Sequence, residues 1–183
     1  MEHLVEGHAV TEGSRLLDER SEPALRTVIG ELMARSERAD FAVTRIRLAA
    51  MDLTREEAAM TSCRVLLGAL DASMLDDASA GAAARERQLG LLLDWVRSGR
   101  LQVRSAGIAG WSPDFSLFRS PVSITCLVGA HYFANPYHAV GPSLTCILRD
   151  PSASRIVADR FEALWARSHD VMPAIQHVLE RAG

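Results

Sequence analysis

The spacing of apolar positions changes several times along this chain, and each change marks an element. Leu25, Val28, Ile29, Leu32 and Met33 recur at helical spacing and form one stripe. Ser21-Glu22-Pro23 supplies the start, with a serine N-cap and a proline in the first turn. That helix is expected to end near Glu37-Arg38. From Phe41 to Leu48 the pattern switches to a strand rich in β-branched and apolar residues. Alternation sets Phe41, Val43, Arg45 and Arg47 on one face and Ala42, Thr44, Ile46 and Leu48 on the other. Thr54 with Glu57 makes a capping box before a short helix. Cys63 to Gly68 is the short apolar run of a buried strand.

The second half repeats this grammar. After the small-residue linker 76–81, Leu89, Leu92, Leu93 and Val96 line one face of a long helix, and Gly99 is its stop. Leu101 to Ser105 reads as a strand. Phe115 to Phe118 and Ile124 to Val128 read as a strand pair, and Leu144 to Leu148 as the last strand. Asp150-Pro151-Ser152 caps a helix whose apolar residues are Ile156, Val157, Phe161, Leu164 and Trp165. A final helix is expected from about Pro173 to Arg181, with Asp170 as an N-cap before it. Residues 1–20 show no sustained period and read as an N-terminal arm or short helix, leaving 21–183 as one domain. The order predicts an α/β fold, a mixed sheet in a layered sandwich with helices on both faces.

Composition narrows the chemistry. All 20 basic residues are arginines; the chain has no lysine, which removes P-loop, Schiff-base and Ser-x-x-Lys mechanisms. The net charge of −3 and the lack of a dense basic run argue against a surface that tracks nucleic-acid phosphates. No stretch approaches a membrane span, and the N-terminus lacks the features of a signal peptide, so a cytoplasmic location is expected. Cys63, Cys126 and Cys146 lie in apolar runs without metal-ligand spacing and read as reduced. Cys126 and Cys146 are candidates to face each other on neighbouring strands.

The C-terminal half carries a resemblance. CLVGAHYFANP leads through SLTCILRDP into SRIVADRFEALWARS. A glycine-ended strand, a loop, a strand and a long helix ending in Phe-Glu-x-Leu-Trp resemble one half of a phospholipase D-like domain, over about Ser21 to His169. Active members of that family carry His-x-Lys and then, after four intervening residues, Asp. The matching positions here are Asp114, Ser116 and Pro121, and the family's Gly-Ser-x-Asn turn reads Gly129-Ala130-His131-Tyr132. The resemblance therefore implies the fold and argues against the activity. It also implies a homodimer, because a full site is assembled from two halves. Degenerate members serve as binding or regulatory domains, among them the ligand-binding domain of TrmB-like transcription regulators.

Of ten aromatic residues, six fall between 111 and 137, and His131 and His138 share that region. Trp111, Asp114, His131, Tyr132, Asn135, Tyr137 and His138 are therefore the candidate ligand or partner site, as aromatic loops are enriched in pockets and interfaces. Core packing is the competing reading. Arg45 and Arg47 are a weaker candidate anion site at a strand end, against ordinary salt bridging to acids such as Asp52. No catalytic residue, metal or cofactor is assigned. The expected function is a non-catalytic accessory, scaffold or sensor protein. The alternative is a phosphoester or nucleic-acid hydrolase rebuilt around Asp114, His131 and His138.

Overall fold

The computed structural model describes residues 14–17, 22–43, 62–68, 90, 93–108, 115–129 and 145–182. Strands β1 (Arg15–Leu17), β2 (Arg38–Val43), β3 (Ser62–Leu67), β4 (Leu101–Ser105), β5 (Phe115–Arg119), β6 (Ile124–Val128), β7 (Thr145–Leu148) and β8 (His169–Asp170) form one sheet. Its order is β1-β7-β6-β5-β2-β3-β4-β8. β2, β3 and β4 are mutually parallel, and every other pairing is antiparallel. Helices α1 (Glu22–Ala34), α2 (Pro151–Arg167) and α3 (Met172–Ala182) and a helical segment at residues 93–97 cover the sheet.

Alternation along the strands sorts the core into two layers. Ala39, Phe41 and Val43 join Cys63, Val65, Leu67, Leu101 and Val103 on one face, packed with Ile29 and Met33 of α1, Trp95 and Val96, and Ile175 of α3. Ala42, Leu66, Phe115, Leu117 and Cys126 occupy the other face, under Ala158, Phe161, Leu164 and Trp165 of α2. Helices thus lie on both faces, as the element order implies. Gly99, at φ +72°, follows the 93–97 segment, and its N–H donates to the Val96 carbonyl. It adopts there the left-handed geometry that favours glycine.

Several expectations are corrected. β2 opens at Arg38, three residues before Phe41, and α1 ends at Ala34. Charged residues at 38 and 40 resemble a loop in a one-dimensional pattern, but here Asp40 is buried and paired with arginines of the neighbouring strands. Residues 44–48 lie outside the described residues. Within the segment read as an arm, Arg15–Leu17 pairs antiparallel with β7 and satisfies that strand's outer backbone groups. Ile156 is 70% exposed. It follows Ser154 by two positions, about 200° around the helix, and Ser154 is the buried residue. The Ser154 hydroxyl donates to the Leu148 carbonyl at 3.2 Å, which makes its burial tolerable.

Other expectations hold. Asp150 caps α2 by accepting from the Ala153 N–H at 2.7 Å. Asp170 accepts from the Met172 N–H at 2.9 Å at the start of α3. His169 and Asp170 also pair with β4, an edge contact that no periodicity of two residues could announce. Among the described residues no helix is long and apolar enough to cross a membrane.

Candidate functional site

The parallel strands β2, β3 and β4 run to carboxyl ends at Val43, Leu67 and Ser105. The register places the start of β5 and the end of β6 at the same edge, with Ala42 opposite Phe115 and Phe115 opposite Val128. Val128 in turn lies opposite Cys146, near the start of β7. The edge is stitched by backbone bonds from Gly68 to Val43, Ala106 to Leu67 and Ile108 to Gly68. Gly107 and Gly129 take φ of 68° and 120° there. In open α/β sheets this is where ligands gather, because several chain connections meet beyond the strand ends.

Arg45 and Arg47 follow β2. Trp111 and Asp114 lie between β4 and β5. His131, Tyr132, Asn135, Tyr137 and His138 lie between β6 and β7. All nine lie outside the described residues, but the strand ends that bound their segments share this one edge. Two positions of the resembled motif are described. Ser116 is 4% exposed on β5, with Phe41 and Leu127 as its strand neighbours. Pro121 is exposed in the β5–β6 turn, where the Ser120 N–H donates to the Ser123 carbonyl at 3.0 Å. The two sit at opposite ends of the strand.

A second cluster, which the sequence pattern did not reveal, lies under α2. Asp40 of β2 is fully buried. Arg64 of β3, its register partner, donates from Nε and Nη2 to the two Asp40 carboxylate oxygens at 2.7 and 2.9 Å. Arg119 of β5 donates from Nε to Asp40 Oδ2 at 2.6 Å and from Nη2 to Glu162 Oε1 at 3.0 Å. Arg64 also grips Glu162 of α2 through Nη1 and Nη2, at 3.0 and 2.7 Å. Arg38 completes the group, 3.5 Å from Glu162 and 3.4 Å from Asp40. The Arg64 guanidinium lies 4.9 Å from the Phe161 ring centroid and 5.0 Å from that of Trp165. Arg104 lies 4.9 Å from Trp165 and donates to its carbonyl at 3.0 Å.

Charge-assisted, bidentate bonds of this kind fix geometry. Three strands and one helix are thereby locked in one arrangement. Burial works against the Arg64 charge, but its bonds to Asp40 and Glu162 outweigh it and hold Arg64 above the ordinary arginine range. The bond from Arg64 holds Glu162 below the usual carboxylate range, against an opposing effect of burial. The only sequence signal was a charge inside an apolar run, Asp40 beside Phe41 and Arg64 between Cys63 and Val65.

A pH dependence follows. Glu162 has a lower pKa folded than unfolded, so its contribution is complete above the unfolded value of about 4.3 and is lost as pH falls through the folded one. Thermal melts from pH 7 into acid should show a falling Tm, with part of the fall absent in Glu162→Gln. Parallel curves for parent and variant would contradict this role.

The cysteines are reduced. Cys126 stands opposite Leu148 and Cys146 opposite Val128, so the two are diagonal on one face and not directly paired. Burial, aided by Cys146, pushes the Cys126 thiol up to about 12, which makes it inert as a nucleophile at neutral pH. Among the described residues no group of His, Cys, Asp and Glu could hold a metal ion.

No protein-family model matches this chain, and no curated protein does. Solved structures do. TrmBL2, an archaeal chromatin protein, matches at TM-score 0.55 and 13% identity, over 92% of this chain and 57% of that one. NucT from Helicobacter pylori matches at TM-score 0.56 and 8% identity, over 86% of this chain and 98% of that one. Nuc from Salmonella typhimurium, a phospholipase D family member, matches at TM-score 0.50 and 11% identity, over 86% and 96%. This chain thus spans little more than half of TrmBL2 but nearly all of NucT and Nuc. At such identities the likeness concerns architecture, and the architecture is the mixed-sheet α/β fold found in the phospholipase D family.

Proposed function

We propose that this chain is a non-catalytic domain on a phospholipase D-like fold, which binds a partner or small ligand at the carboxyl edge of its parallel strands. The observation that carries this reading is the absence of any lysine, with a serine at the lysine position. In the resembled mechanism a cation must meet the charge that develops on the phosphoryl oxygens. Ser116 is neutral, and it lies within the sheet between Phe41 and Leu127. Losing one such stabilising group typically costs a factor of about 100–1,000 in rate. Here the histidine position, Asp114, is changed as well.

What remains at that edge suits recognition. Trp111, Tyr132 and Tyr137 would supply aromatic walls, and Asp114, His131, Asn135 and His138 polar groups. The fold also serves in TrmBL2, a chromatin protein with its own mode of DNA binding. A net charge of −3 makes a phosphate-tracking surface a poor expectation for this chain.

The test is direct. Purified protein is incubated with a generic phosphodiester and with DNA, with and without divalent metal. No turnover above buffer is expected. Turnover that disappears in His131→Ala would overturn the reading and favour a hydrolase rebuilt around Asp114, His131 and His138.

A further inference from the structure

The end of the sheet opposite that edge carries an imbalance of charge. Among the described residues, Arg38, Arg64 and Arg119 converge on two carboxylates, Asp40 and Glu162. Asp40 is committed on both oxygens, to Arg64 and Arg119. Arg38 is the member left short. Its Nε is buried and lies 3.4 Å from Asp40 Oδ1 without a hydrogen bond, while its side chain as a whole is 36% exposed.

A groove opens beside this cluster at Arg119. Arg119, directly opposite Arg38 in the β2–β5 register, also lines an open groove of about 360 Å³. The β5–β6 turn, residues 120–123, forms one wall of that groove. Pro151 and Arg155, in the first turns of α2, form the other. Arg155 is exposed and makes no ion pair within the described residues. Ser120 and Ser123 bring hydroxyls, now bonded to each other at 2.9 Å. Asp150, just before Pro151, accepts the Ala153 N–H through Oδ1.

We infer that this groove binds the phosphate group of a small phosphorylated molecule, held by Arg119 and Arg155 with the two serine hydroxyls as further donors. Guanidinium groups suit this ligand because their planar forks match phosphate oxygens. The groove volume fits a small molecule and not a duplex. Burial lowers the pKa of Arg38 against the pull of Asp40 and Glu162, with the neighbouring Arg64 and Arg119 adding to the lowering. The site lies at the far end of the strands from the proposed recognition edge, so either can fail without the other.

Isothermal titration of the full chain with inorganic phosphate, at ionic strength held constant with chloride, tests this. Saturable binding at one site per chain is expected. Arg155→Ala should weaken it at least about tenfold, equal to about 1.4 kcal/mol, and Arg155→Lys should retain most of it. Arg155 lies outside the ion cluster, so the variants should melt with the parent. No saturation, or equal affinity in Arg155→Ala, would overturn the inference. So would DNA binding that inorganic phosphate fails to displace.

Discussion

Asp40→Ala is expected to bring this domain close to unfolding. The carboxylate is fully buried and accepts three hydrogen bonds from two guanidinium groups. Removing it leaves Arg64 and Arg119 in place, with Glu162 alone to balance three arginines. Breaking one side of a buried ion pair costs about 3–5 kcal/mol, because the remaining charge stays out of water without a partner. For a chain of this length that corresponds to a fall in Tm of roughly 6–20 °C. Asp40→Asn keeps the shape and loses the charge, so it should fall in the same range. Asp40→Ala combined with Arg64→Ala should cost less than the two singles added, since each then removes the other's orphan. A fall of only a degree or two in Asp40→Ala would show that water replaces the carboxylate, and that the cluster is not what seats α2.

Phe161→Ala should have a comparable effect by a different route. The ring is fully buried between sheet and helix. It stacks on Trp165 at 5.7 Å with the planes 17° apart, and meets Phe115 edge-on at 6.3 Å. It also forms part of the floor beneath the Arg64 guanidinium. Truncating a buried phenylalanine costs about 3–5 kcal/mol, from lost transfer energy and the cavity left behind. Phe161→Leu fills most of that volume and should cost distinctly less. Chemical denaturation of the two variants distinguishes them. Equal losses would mean that the aromatic face toward Arg64, and not volume, is what matters.

The two residues differ in how legible they were. Phe161 belongs to a helical stripe, and its burial follows from spacing alone. Ile156, another apolar residue of the same helix, is exposed, because 3.6 residues per turn leave room for only one narrow face and Ser154 already occupies it. Asp40 was not legible. A lone acid at a strand start reads as a boundary residue, and the strand was accordingly placed three residues late. Its partners stand 24 and 79 residues away in sequence. No periodic signal links positions that far apart. The candidate site was legible only in outline. Composition concentrated aromatics and histidines between 111 and 138, and the resemblance supplied a motif position for Asp114 and Ser116. That the segments bearing these residues are bounded by strand ends at one edge follows from strand order, which the pattern leaves open.

By itself, then, the sequence determined the kinds and order of the main helices and strands, from α1 through β7 to α3, and the exclusion of lysine chemistry. These are local properties, set by backbone periodicity and by which side chains exist at all. The tertiary structure alone decided that Arg15–Leu17 closes an edge of the sheet, that Asp40, Arg64, Arg119 and Glu162 meet, and that Arg119 and Arg155 line one groove at the end of β5. Such pairings depend on register and strand order. Those are chosen by the burial of the whole core at once, and the cost of a buried charge then permits only the arrangement in which each acid finds its arginines.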